Sequence, residues 1–238
     1  MVSKTDIIAR LQREIMPLQG YKPRLQPAMD QGIGMLAKAF PGQQFPLGAI
    51  HEYHCRDMTD LSVTSGFIAG LLQSCHLHEG AIVWVSASRH IYPPALAAFG
   101  IRPEQIIFVV LPGEKERLWA IEEALKCNAI QAVVGENRSI SFTTSRRFQL
   151  AVEKSGVTGF MIRDDSTGAT TSIAKWRIRS RPSIAIDQLP GVGYPSWEVD
   201  LCKVRNGQTG TWQLAWAGER FVDISVGVTV QEAARKTG

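Results

Sequence analysis

Residues 81–110 read AIVWVSASRHIYPPALAAFGIRPEQIIFVV and carry the clearest architectural pattern in the chain. Two runs in this stretch, AIVWV at 81–85 and IIFVV at 106–110, are apolar at every position. Such runs are typical of strands that are covered on both faces of a sheet. A proline-rich segment at 94–99 has the length of a short helix. Two buried strands separated by a helix predict a parallel βαβ unit.

The same alternation continues on both sides of this unit. Three further segments are strand candidates: 49–53, 129–134 and 158–162. Three others show helical spacing of their apolar residues: 61–73, 114–127 and 144–155. After Thr170 the pattern changes, because the segments at 175–179, 197–205 and 211–216 alternate apolar and polar residues. The sequence therefore predicts an α/β fold with a mostly parallel sheet, helices on both faces and antiparallel C-terminal strands.

The chain divides into three parts. Residues 1–40 form a predicted N-terminal helix and linker arm, 41–218 the core, and 219–238 a polar C-terminal tail. The arm helix carries one apolar stripe, which consists of Ile7, Ile8, Leu11 and Ile15. Pro17 ends this helix, and a segment rich in proline and glycine follows. The stripe must be buried against the rest of the chain or against a partner, and the sequence leaves both open.

Composition sets broad limits on function. The 238 residues are 45% hydrophobic and carry a net charge of +4, which mildly favours a polyanionic partner. None of the cysteines forms a C-x-x-C pair, so we expect reduced thiols rather than a disulfide framework. The sequence also lacks a signal pattern and an apolar run long enough to cross a bilayer. We therefore expect a cytoplasmic protein that does not enter membranes.

The order of elements resembles the RecA core. The resemblance is carried by FPLGAIHEY at 45–53, VWVSASRHIYPPALAAFGI at 83–101 and SWEVDLCKVRNGQTGTWQLAW at 196–216. YPPALAAFGI, LWAIEEAL and TSRRFQLAVEKSG more specifically resemble the ImuA family of RecA-like proteins associated with error-prone translesion synthesis. The similarity extends over roughly residues 40–217. It implies a RecA-like three-layer core.

The segment at the RecA nucleotide-loop position has lost the residues that hold phosphate. A working loop uses glycines, a lysine and a Ser or Thr hydroxyl. The segment here contains no glycine, and its polar residues include His54, Cys55, Arg56, Asp57, Asp60 and Ser62. The resemblance puts Asp60 at the lysine position, Gly135 at the magnesium aspartate and Ser88 at the catalytic glutamate. We therefore expect no nucleotide, no other cofactor and no catalytic activity.

Basic residues cluster near the positions where RecA holds DNA. The resemblance assigns the two DNA loops roughly to 137–144 and 164–171. The candidate DNA-binding residues are Arg138, Arg146, Arg147, Arg163, Lys175, Arg177, Arg179 and Arg181. The last four alternate along one strand and so share one face. They predict either a platform for phosphates or an edge strand whose charges prevent aggregation.

A second group of polar residues has the residue types of a metal site, but its spacing argues against one. Its members are His51, His54, Cys55, Cys75, His76 and His78. The odd spacing of His51 and His54 points them to opposite faces of a strand. A predicted helix separates Cys75 from Cys55 by on the order of 20 Å, which one zinc ion cannot bridge. We expect no metal.

The resemblance implies a non-catalytic adaptor in the DNA damage (SOS) response. It would bind an ImuB-like homologue of the Y-family polymerases, and RecA, a DnaE-type polymerase and DNA are further candidate partners. Self-association through the N-terminal helix is a related prediction. Two alternatives stay open. One is a SulA-like inhibitor of cell division, which would bind the tubulin-like division protein, and the other is a divergent RecA-type DNA-dependent ATPase.

Overall fold

The computed structural model describes residues 32–164, 168–185 and 192–225. The predicted arm helix and most of the predicted tail lie outside these residues. In the described part of the chain, nine strands form one sheet in the order β3-β2-β4-β5-β1-β6-β7-β8-β9. The strands are β1 (Ile50–Cys55), β2 (Ala81–Ser86), β3 (Ile106–Val110), β4 (Ile130–Glu136), β5 (Thr158–Asp164), β6 (Ala174–Ile184), β7 (Tyr194–Val204), β8 (Gly210–Ala217) and β9 (Arg220–Asp223).

The first five strands run parallel and form the half of the sheet that was predicted from the apolar runs. Four α-helices belong to the described residues: α1 (Gly34–Ala37), α2 (Met58–Ser74), α3 (Glu114–Lys126) and α4 (Phe142–Ser155). The proline-rich segment forms a 3-10 helix at Pro93–Phe99, with its two prolines in the first turn, where no backbone donor is needed.

Side chains alternate between two cores on either side of the parallel strands. On β2, Ile82 and Trp84 pack into the core under α2, whereas Val83 and Val85 pack into the core with α3 and α4. Both faces of β2 are therefore covered, which explains why its run AIVWV is apolar at every position. The run IIFVV forms the edge strand β3 and is only partly buried, with Ile107 55% exposed, so the prediction that this strand is also covered on both faces is wrong. The three-layer α/β prediction is confirmed.

The antiparallel half begins where β6 pairs in parallel with β1 and then antiparallel with β7. Helix α2 covers one face of it, where Trp176 and Ile178 are fully buried. The opposite face of β6 carries Lys175, Arg177 and Arg179, so these strands show the predicted alternation.

The packed part of the chain reaches beyond the predicted core 41–218 at both ends. Leu36 and Phe40 precede it and are buried, and Phe221 follows it and is only 2% exposed. Strand β9 was missed in the sequence because it has four residues, too few to show a period. Its Phe221 ring packs edge-on against Trp216, with ring centroids 5.0 Å apart. Among the described residues, the helices are too short or too polar to span a bilayer.

Candidate functional site at the carboxyl ends of the parallel strands

The connection between β1 and α2 is the segment that the resemblance assigns to the RecA nucleotide loop. Strand β1 ends at Cys55 and helix α2 begins at Met58, so only Arg56 and Asp57 lie between them. A phosphate-binding loop needs a longer glycine-rich connection, since its backbone amides must curve around the phosphates. Here the carboxylate of Asp57 accepts a hydrogen bond from the amide of Asp60 at 2.9 Å. The helix N-terminus, a natural anion site, is thus capped from within the chain.

The side chain of Asp60 also binds within this loop. Its Oδ2 accepts hydrogen bonds from the backbone amide of Arg56 at 3.0 Å and from its Nε at 2.9 Å. The hydrogen bond from the Arg56 side chain is the main reason that the pKa of Asp60 is lowered. Asp57 thus caps the helix, and Asp60, which the resemblance puts at the lysine position, turns inward to pair with Arg56.

The other predicted residues of the loop lie in different surroundings. His54 is buried, with its Nε2 2.9 Å from Glu52 Oε1. Burial raises the pKa of the Cys55 thiol to about 11, so this thiol stays protonated and unreactive. Ser62 is exposed and donates to the carbonyl of Met58. These three side chains do not converge on one point.

A cavity of about 320 Å³ lies at the strand ends beside the loop. Arg56, Ser88, Arg138 and Asp164 are among its lining residues. Gly135 immediately precedes Glu136, which lines the cavity. A Cβ at Gly135 would lie 2.6 Å from Cδ1 of Ile121, a fully buried residue of helix α3. A carboxylate at this position would therefore require the Ile121 side chain to shift.

Comparison with known proteins adds to this geometry. No protein-family model matches the sequence. Two proteins named Protein ImuA, from two strains of Caulobacter vibrioides, are each 30% identical to it over 202 residues, which cover 79% of this chain and 83% of each relative. The chain belongs to the ImuA family. The resemblance seen in the sequence is thereby confirmed.

In this ImuA-family protein, Glu136 organises one side of the cavity. Its Oε1 accepts a hydrogen bond from the indole of Trp84 at 2.7 Å and lies 3.1 Å from Nε2 of His90. The hydrogen bond with Glu136 is the main reason that the pKa of His90 is raised. The buried side chain of Arg117 donates to the carbonyl of Glu136 and to Asn137 Oδ1. This cluster ties the ends of β2 and β4 to helix α3.

A second buried carboxylate, Glu52, organises the other side. It is 2% exposed and has three cationic or titratable neighbours, His54, Arg163 and Lys175, at 2.9, 3.1 and 3.4 Å. Thr170 also donates to it at 2.5 Å. Burial alone would raise the pKa of Glu52. The hydrogen bonds from His54 and Thr170 and the charges of Lys175 and Arg163 outweigh burial and lower this pKa to about 2.

The Glu52 cluster contains two of the candidate DNA-binding residues. Arg163 is only 4% exposed and its guanidinium pairs with Glu52, so much of its charge is neutralised within the fold. Lys175 is directed to the same carboxylate and to the carbonyl of Gly168. This cluster was not predictable from the sequence, because Arg163, Thr170 and Lys175 lie more than a hundred residues after Glu52 in the chain.

The remaining candidate cations are distributed over two surfaces. Arg179 pairs with Glu198 and with Asp200, the latter at 3.0 Å. Arg177 and Arg181 share its face of β6. On the other surface, Arg147 pairs with Glu122 and Arg146 is exposed. Arg138 Nε lies 4.0 Å from Asp164 Oδ2 at the rim of the cavity.

The His and Cys residues that were considered as metal ligands lie in separate surroundings. His51 is fully buried and stacks on Phe45, with ring centroids 4.5 Å apart, and burial lowers its pKa to about 4. His54 lies on the opposite face of β1 next to Glu52. Within the described residues, no three His, Cys, Asp or Glu side chains are grouped as metal ligands.

Proposed function

We propose that this ImuA-family protein is a non-catalytic adaptor of a mutagenic translesion DNA synthesis complex in the DNA damage response. Its partner is an ImuB-like homologue of the Y-family polymerases. Family membership supports the system in which it works. The geometry of the candidate site supports the absence of catalysis. A RecA-like core of this kind acts through its surface rather than through turnover.

The closed loop between β1 and α2 carries the proposal. An entering triphosphate would have to displace Asp57 from the amide that it caps. The resemblance puts Asp60 at the lysine position, where its carboxylate supplies no positive charge to the phosphates. Arg56 compensates only in part, because its Nε is bound to Asp60 at 2.9 Å and much of its charge is neutralised within the loop. Like charges at contact distance repel strongly in a partly desolvated site.

The buried carboxylates explain how the core keeps its shape without a ligand. Glu136 links Trp84 and His90 at one side of the cavity. Glu52 neutralises Arg163 and Lys175 at the other side. In a nucleotide-binding protein the bound ligand and its metal supply much of the charge at this place. A core that is held in place by its own ion pairs and hydrogen bonds presents a surface that is ordered before a partner binds. This reduces the free-energy cost of binding.

The test is direct binding between the purified full chain and the ImuB-like protein of the same organism. Size-exclusion chromatography with light scattering should give a complex without nucleotide, and the dissociation constant should not change when Mg-ATP is added. Failure to form a complex, or a complex that needs Mg-ATP, would contradict the proposal. The tubulin-like division protein serves as the competing partner. Binding to it alone would indicate a division inhibitor.

A further inference from the structure

An apolar groove runs along helix α2 next to the candidate site. It has a volume of about 450 Å³ and is lined by α2, the 3-10 helix Pro93–Phe99 with the residues before it, β6 and β7. Leu96 and Trp197 are buried in its lining, and Tyr92, which also lines it, is 70% exposed. Serines and Arg181 of β6 complete the lining around these apolar side chains. Grooves with an apolar floor are typical of sites that receive the apolar face of a helix.

The absence of a side chain at Gly66 keeps this groove deep. A Cβ there would lie 3.4 Å from Cζ of Phe99 and 3.8 Å from Cζ2 of Trp197. Glycine inside a helix costs about 1 kcal/mol relative to alanine, so its presence in the middle of α2 needs a compensating reason. Access to the groove supplies that reason.

The first residues of the same chain contain a segment that matches the groove. Ile7, Ile8, Leu11 and Ile15 lie at helical spacing and form one apolar stripe. Their aliphatic side chains are of the size that a groove between Leu96 and Trp197 can take. An amphipathic helix of this length gains most of its stability from burial of its stripe rather than from its own propensity.

The described chain begins close to the groove. A Cβ at Gly32 would lie 2.4 Å from the carbonyl oxygen of Phe221, so Gly32 lies directly against β9. The Phe221 ring in turn packs on Trp197 in the lining of the groove, with ring centroids 5.8 Å apart. Sixteen residues connect Ile15 to Gly32, and they can span up to about 50 Å when extended. The tether is therefore long enough to return the stripe to the groove.

We infer that the stripe of Ile7, Ile8, Leu11 and Ile15 docks in the apolar groove of its own chain. A short tether raises the effective concentration of the segment to the millimolar range, which favours docking within one chain over docking between copies. This inference does not depend on the proposed adaptor function. Since His90 lines both the groove and the cavity at the strand ends, the docked segment lies next to the candidate site.

Hydrogen exchange of the full chain tests this docking. The double variant Ile8→Asp/Leu11→Asp places two charges in the stripe, and it should raise amide exchange at residues 91–99 by about tenfold. The matched control is Arg13→Asp, which makes the same change in charge on the opposite face of the segment. It should leave exchange at residues 91–99 unchanged. A stripe variant that exchanges like the wild-type chain would overturn the inference.

A reciprocal change makes the test independent of the stripe variant. Gly66→Leu fills the groove from α2, so it should raise exchange at residues 5–16 while the wild-type segment is intact. The protection should also stay constant over a hundredfold range of about 0.5–50 μM protein, because a tethered interaction does not depend on concentration. Protection that grows with concentration together with a dimer mass would assign the groove to a second copy and contradict docking within one chain.

Discussion

The carboxylate of Asp57 binds the backbone amide of Asp60 at 2.9 Å, while the carboxylate of Asp60 binds Arg56 at 2.9 Å. Each of the two acids that follow β1 is thus bound within its own loop. This arrangement closes the N-terminus of α2, at which a RecA-type protein would hold phosphate. The consequences can be tested at single residues.

Asp57→Ala removes the helix cap. We expect the free energy of unfolding to fall by about 1 kcal/mol, because one amide of the first turn loses its acceptor. Urea denaturation monitored by circular dichroism measures the change. Asp57→Ser is the control, since serine caps helices nearly as well and should restore most of the loss. Equal losses in both variants would show that the Asp57 cap does not stabilise α2.

Gly66 and Gly70 lie one turn apart on α2 and should respond oppositely to alanine. A Cβ at Gly66 makes ordinary contacts, so Gly66→Ala should stabilise the protein by about 0.5–1 kcal/mol through helix propensity. A Cβ at Gly70 would lie 2.6 Å from Cζ of Phe221 and 3.1 Å from the Trp216 ring, and both rings are buried. Gly70→Ala should therefore destabilise it by about 1–2 kcal/mol. Thermal denaturation midpoints that shift in the same direction would contradict this packing.

Glu52→Gln should be strongly destabilising at neutral pH. It leaves Arg163 and Lys175 without their buried carboxylate, and the loss of one partner of a buried ion pair costs about 3–5 kcal/mol. Glu123→Gln, which removes an exposed partner of Lys126, is the control and should change the urea midpoint little. An equally small change in Glu52→Gln would disprove the role of this cluster.

The difference in unfolding free energy between wild type and Glu52→Gln should depend on pH, because the pKa of Glu52 is lowered in the folded state. Burial opposes this shift, but the hydrogen bonds from His54 and Thr170 and the nearby cations bring the pKa from 4.5 down to about 2 in the folded state. The stabilisation is therefore complete above pH 4.5 and is lost as the pH falls from 4.5 towards 2. The gap in unfolding free energy between wild type and Glu52→Gln should be constant from pH 6 to 8 and should shrink in that acidic window. A gap that widens on acidification would refute the assignment.

His90 should titrate above its ordinary pKa of 6.5, because Glu136 stabilises its charged form. Ring-proton NMR of the full chain measures this directly. In Glu136→Gln the pKa of His90 should fall, since burial then acts without the opposing carboxylate. Glu79→Gln, which changes the exposed partner of His76, should leave the His90 titration as it is. A His90 curve that is insensitive to Glu136 would exclude their ion pair.

Much of the architecture was predictable because the inner parallel strands are covered on both faces. Continuous apolar runs marked β2 and β3 to within one residue, and the helix predicted at 114–127 is Glu114–Lys126. Strand β9 was missed, because four residues with two buried side chains carry no readable period. Its existence depends on tertiary packing of Phe221 against α2 and β8.

For the candidate site, the sequence predicted only which nucleotide-binding residues are missing. The loop composition showed the missing glycines and lysine, but Glu52 and Glu136 are recognisable only through partners far away in the chain. Arg163 illustrates the reason. Its position beside a predicted DNA loop suggested an exposed cation, whereas β1 brings Glu52 within 3.1 Å and buries the pair. Charge in a sequence does not reveal whether it is already neutralised in the fold.

Isothermal titration of the full chain with Mg-ATP tests the closed nucleotide site most directly. With Asp57 and Asp60 both engaged by the loop itself, we predict no binding heat up to millimolar nucleotide and the same flat titration with Mg-ADP. Saturable heat at micromolar Mg-ATP, abolished by substitution of residues in the loop between β1 and α2, would contradict the account.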